Sequence, residues 1–304
     1  ATKAGLKAQL VLVNTRDNGA KDILLPSVEF NHCIALLTLN GKEYYLELTD
    51  SNLPFGSLPQ NLYGAASLVI PAQAQKTTVA ELKPLVSPNR SKDRLIKNVT
   101  VTVGDKDLKF AVASVFTGNI TSSIREHYST LSADKQKEDW EQAIAGMYKN
   151  GVKLETLSFK GLQDLEDSIT ATYNYSAKSE VVEAGSMRMI KLPVLDVIAS
   201  LDNFSADKRE HPIEYWNFEN SDLYQSSITI NLTGGRKFLE VPANQTFTFN
   251  NCSYSITYTR LGEALKIERT AKLQRDNIKP VDYEKFKLFF SNIVEAESKF
   301  IVFK

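Results

Sequence analysis

The chain has 304 residues, with 36 Lys+Arg balanced by 36 Asp+Glu and a pI near 7.1. Hydrophobic residues make up 42% and charged residues 24%, a globular composition that excludes disorder as the main state. A neutral chain is a poor polyelectrolyte partner, so nucleic acid and anionic membrane are not expected targets. No run approaches the ~20 apolar residues of a membrane span.

At roughly 150 residues per domain, the length suits two domains or three small ones. There is no initiator Met and no signal peptide, and Ala4–Ala8 reads as the last turn of a helix that begins upstream. The chain is therefore expected to be a fragment or a processed product. A strand, Leu10–Asn14, follows at once. Two stronger strands, His32–Leu39 and Lys42–Leu48, flank Asn40-Gly41. That dipeptide is a strong hairpin signal because both turn positions accept positive φ. Residues 1–72 are taken as the first unit and 73–94, with Pro84 and Ser87-Pro88-Asn89-Arg90-Ser91, as a linker.

The second unit, 95–203, opens with strands Ile96–Val103 and Leu108–Phe116. A helix near Ile124–Lys149 follows, with Asn150-Gly151 as its C-cap. The polar stretch Ser132–Gln136 can divide this helix. Further strands are expected at Val152–Phe159, Ser168–Tyr175 and Met187–Leu192, and the Tyr/Thr alternation from Ile169 to Tyr175 has the period of a half-buried strand. The third unit, 204–304, alternates in the same way at Ser227–Leu232, Thr246–Asn250, Ser253–Arg260 and Leu265–Leu273. Turn residues Gly234-Gly235, Asn250-Asn251 and Gly262 separate these segments, a spacing that fits a small antiparallel sandwich. Tyr283, Phe286, Phe290 and Ile293 then form one apolar helical stripe, and Phe300–Phe303 is a closing strand. The fold class is α+β, mainly β.

The hairpin offers the best candidate chemistry. A two-residue turn pairs Leu39 with Lys42, so His32 falls opposite Thr49 and Ile34 opposite Glu47. Side chains alternate along each strand, which puts His32 and Glu47 on one face as diagonal neighbours. Their Cβ atoms are then about 7 Å apart or less, within reach of a carboxylate on an imidazole. A carboxylate that orients an imidazole is two thirds of a Cys–His–acid nucleophilic site. The same pair can equally be a surface hydrogen bond at a sheet edge. Cys33, next to His32 in the strand, faces the other way and is a poor nucleophile for it. Asp50 falls on the other face unless the strand's end reorients it, and is the alternative acid.

Other polar residues carry less. Three histidines and two cysteines at no ligand-like spacing give no metal site, and no glycine-rich phosphate loop occurs, so no cofactor is expected. Cys33 and Cys252 are read as buried free thiols, His127 as a helix-surface residue and His211 as structural.

The segments Leu10–Thr15, Phe30-Asn31-His32, Asn40-Gly41-Lys42, Tyr45–Asp50 and Leu53-Pro54-Phe55-Gly56 resemble the second half of a transglutaminase-like, papain-like core. Arg209–Tyr215, Ile228–Leu232, Val241-Pro242 and Tyr283–Lys287 are similar to the C-terminal domain of bacterial exported multidomain proteins that carry such a core. The resemblance implies an incomplete transglutaminase-like antiparallel sheet followed by two β-rich sandwich-like domains, each with a helix. It implies periplasmic or cell-surface localisation and a protein or peptide substrate. It places His32 at the catalytic His. Glu47 stands at the acid of the family's Leu-Asp-x-Thr pattern, where Asp is usual. The nucleophilic Cys would belong to a helix missing from this chain, which is then expected to be inactive alone. The alternative reading is a non-catalytic exported scaffold whose β-domains bind a protein or glycan partner.

Overall fold

The structure is a computed structural model that describes residues 2–18, 30–71, 81–165, 168–198, 200–214, 221–274 and 276–304. Gly19, the Ala72–Gln75 part of the connector and Tyr215 lie outside these residues. The first sheet is built from β1 (Lys7–Asn14), β2 (His32–Leu39), β3 (Lys42–Leu46), β4 (Ala66–Val69) and β5 (Lys83–Pro84), in the antiparallel order β3-β2-β1-β4-β5. β5 lies in the connector and adds an edge to this sheet. The amino end departs from expectation. A 3-10 turn covers Thr2–Ala4, and Lys7 and Ala8 already pair with Thr38 and Leu37 rather than ending a helix. One sheet face, with Val11, Val13, Ile34 and Leu36, is buried under Leu58, Leu62, Ala65 and Leu85.

Residues beyond the connector form β6 (Arg94–Val103), β7 (Leu108–Thr117), β8 (Val152–Lys160), β9 (Ser168–Ala177), β10 (Val182–Ala184), β11 (Met187–Lys191), β12 (Ile213–Glu214) and β13 (Leu223–Leu232). They continue with β14 (Phe238–Glu240), β15 (Gln245–Phe249), β16 (Cys252–Leu261), β17 (Ala264–Lys272), β18 (Asn277–Ile278) and β19 (Phe300–Phe303). The units expected at 95–203 and 204–304 contribute strands to one eight-stranded sheet, β15-β16-β17-β13-β6-β7-β9-β8. The join is the parallel pairing of β6 with β13, from Leu223↔Arg94 to Leu232↔Val103. Parallel neighbours need a long crossover and leave no turn signal. A four-stranded sheet, β10-β11-β19-β14, adds to the same core.

The expected long helix is divided into α1 (Ile120–Tyr128) and α2 (Ala133–Ala145). The Ser132 hydroxyl accepts from the Lys135 N–H and restarts the helix. α3 (Tyr283–Glu297) buries Tyr283, Phe286, Phe290 and Ile293 as its spacing requires, and Phe289 and Ala296 with them. No helix among the described residues is long and apolar enough to cross a membrane.

Candidate functional site

The β2–β3 hairpin has the expected register, with Leu39↔Lys42 through Ala35↔Leu46. Asn40 and Gly41 both take positive φ, 52° and 74°, which lets a two-residue turn follow the strand twist. β3 stops at Leu46, so Glu47 is the first residue past the ladder. His32, Ile34 and Leu36 share the buried face. His32 is the outermost of the three, half-buried at the sheet's end.

There His32 Nε2–H donates directly to Glu47 Oε2. The Glu47 side chain is only 3% exposed. Its other oxygen, Oε1, accepts from the Thr49 N–H at 2.8 Å and from the Thr49 hydroxyl at 2.7 Å. Burial pushes this carboxyl up, but the Thr49 N–H, His32 and the Thr49 hydroxyl together outweigh it and hold the pKa below its usual value. Glu47 therefore stays ionised at neutral pH. In a neutral imidazole, a carboxylate on Nε2 selects the Nε2–H tautomer and leaves the lone pair on Nδ1. Among the described residues no hydrogen bond reaches Nδ1.

The surrounding wall is polar and tied together. Asn31 Oδ1 accepts from the Thr15 N–H at 2.9 Å, and Asn31 Nδ2 donates to the Thr15 hydroxyl at 2.7 Å. Asn61 Nδ2 donates to Asp17 Oδ1 at 3.0 Å. The Asp17 carboxyl lies below its usual range, first through the Thr15 hydroxyl and then through Asn61. A shallow cavity of about 200 Å³ opens here, lined by His32, Glu47, Thr49, Asp50, Asn61 and Leu62 among others.

Asp50 lines the cavity but is not the partner of His32. Its Oδ2 accepts from the Ser122 hydroxyl and its Oδ1 from the Asn52 N–H at 2.8 Å. The strand's early end reorients it, as the alternative required, toward α1 rather than toward the imidazole. Cys33 faces away from His32, and it is exposed rather than buried: the cover given by Leu58 and Leu62 lies on the other side of the sheet. Cys252 is buried as expected. His127 is an exposed helix residue beside Asp139, and His211 is exposed. Among the described residues there is no group of three metal-ligating side chains.

Thr49, Thr15 and Asn61 were not singled out as site residues from sequence. Thr49 was within reach of that reading, since the turn register already placed it opposite His32. Thr15 and Asn61 come from other segments and carry no local signal.

The chain matches the profile of DUF3858, a domain of unknown function with a solved structure, over residues 187–303. That span runs from β11 to β19, two strands that pair with each other and close the unit. No curated protein matches the chain. Among solved structures it is similar to a candidate protease from Parabacteroides distasonis, at 14% identity and a TM-score of 0.47. The match covers 99% of this chain and 41% of that one, so the chain spans about two fifths of that protein's length.

Proposed function

We propose that this chain is a part of a transglutaminase-like protein that performs acyl transfer or amide hydrolysis through a cysteine thioester. The observation that carries this reading is His32, at the lining of a cavity, held through Nε2 by an ionised, buried Glu47. In this reading the nucleophilic thiol is neither Cys33, which lies on the wrong face, nor the buried Cys252.

In this reading His32 Nδ1 takes the proton of the thiol, and the thiolate attacks the amide carbonyl of a protein or peptide. Glu47 stabilises the imidazolium that results. The imidazolium returns its proton to the leaving amine as the C–N bond breaks and the thioester forms. An amine or water, deprotonated by the same nitrogen, then cleaves the thioester. The family resemblance also supports export to the periplasm or cell surface.

The test uses the protein at its natural length. Release of ammonia or amine from a glutamine- or amide-bearing peptide is measured before and after thiol alkylation. Loss of turnover on alkylation, and again in His32→Ala, is expected. Turnover unaffected by both changes would remove His32 and a thiol from the chemistry, and no turnover with any acyl donor would leave the non-catalytic scaffold as the better reading.

A further inference from the structure

The loop that carries Glu47 does not stand on its own sheet. Thr49 grips the Glu47 carboxylate, and the next residues are gripped from α1, which belongs to the other sheet. The Ser122 hydroxyl donates to Asp50 Oδ2, and Arg125 Nη1 donates to the Asn52 carbonyl at 3.1 Å. Ser122 and Arg125 are three apart and so share one face of the helix. Both are buried, at 6% and 1% exposure, although one is polar and the other charged. Burial of such groups is stabilising only where they are hydrogen-bonded. Arg125 Nη1 also donates to the Thr121 hydroxyl at 2.8 Å, which fixes its direction.

α1 is itself held in place. The fully buried Asp93 accepts from the Asn119 N–H at 2.6 Å, and the Tyr63 hydroxyl reaches its other oxygen at 3.0 Å. Gly118, just before α1, has φ of 81°, and an added Cβ would lie within 2.2 Å of the Asp93 carboxylate. The helix therefore enters at one position, tied through Asp93 to Tyr63, which follows the cavity-lining Asn61 and Leu62 in the chain.

We propose that Ser122, with Arg125, is a positioning residue for the His32–Glu47 pair, acting through Asp50 and Asn52 on the loop that holds Glu47. This rests on the proposed role of that pair. It assigns the β-rich body a part in the site: it sets the acid's geometry, so the first sheet alone would hold Glu47 loosely.

The experiment is NMR of the whole 304-residue chain with ¹⁵N-labelled histidine. Glu47→Gln provides the His32 imidazole signals of a lost carboxylate contact. Ser122→Ala should move the His32 signals toward those of Glu47→Gln, and Ser122→Thr, which keeps the hydroxyl, should restore them. The exposed neighbour change Ser123→Ala should leave them at wild-type positions. Asp50→Ala breaks the same contact from the other side, together with the Asn52 N–H bond to Oδ1, so adding Ser122→Ala to it should move the signals no further. Wild-type His32 signals in folded Ser122→Ala or folded Asp50→Ala would overturn the proposal. The readout needs no turnover, so absence of thiol-dependent activity in the natural-length protein would refute the proposed chemistry while leaving the positioning result intact.

Discussion

Arg90 and Asp222, 132 residues apart, form a two-pronged ion pair, with Nη1 to Oδ2 at 2.9 Å and Nη2 to Oδ1 at 2.7 Å. The guanidinium also lies 4.2 Å from the centre of the Tyr63 ring. One side chain of the connector thus joins the first sheet's Tyr63 segment to the residue that precedes β13. Both partners are mostly buried, at 13% and 17% exposure. Arg90→Ala should cost about 3–5 kcal/mol in urea unfolding, because it removes the charged partner of a largely buried Asp222 carboxylate and the Asp93 N–H at 2.9 Å does not replace that charge. Arg90→Lys should recover only part, since an ammonium cannot make the parallel fork. A loss below about 0.5 kcal/mol for the Ala change would mean that the pair is not a structural joint.

Stability should follow the ionisation of Glu47. Its folded-state pKa lies below the ordinary 4.5, so its contribution is present above that value and lost as pH falls through the folded pKa. Melting temperatures of the wild type and Glu47→Gln, compared between about pH 7 and about pH 3, should converge on the acid side. A gap that stays constant across the range would show that the side chain acts by packing alone.

Phe290 is 2% exposed, and its ring centre lies 4.9 Å from Phe286 and 5.3 Å from Phe204. Phe290→Ala should cost about 3–5 kcal/mol by urea melts. A neutral result would mean that the α3 stripe is not a core seam.

The two thiols should separate cleanly. Cys33 is exposed and Cys252 buried, so a thiol reagent should label Cys33 in the native chain and Cys252 only after unfolding. Access rather than chemistry sets the difference. Native labelling of Cys252 would contradict its buried placement at the start of β16.

The purified chain should show no amidase or acyl-transfer turnover, because its nearest thiol to His32 points away from it. Turnover that is sensitive to thiol reagents and disappears in His32→Ala would overturn this.

Local periodicity determined most of the elements. Alternation with period two marked β9, β13 and β17, because each has one face in the core and the other less covered. Asn40-Gly41 determined the hairpin register, and with it the meeting of His32 and Glu47, because a two-residue turn leaves no freedom in pairing. The spacing of Tyr283, Phe286, Phe290 and Ile293 determined the buried side of α3. Tertiary structure alone decided the rest. No turn joins β6 to β13, so nothing local told that blocks on either side of residue 203 share a sheet. Nothing near Asp50 in sequence showed that Ser122 would claim its carboxylate, and nothing near Arg90 pointed to Asp222. These contacts join segments whose own patterns are complete without them. They form only once packing has brought two sheets together and left buried charges to be paired.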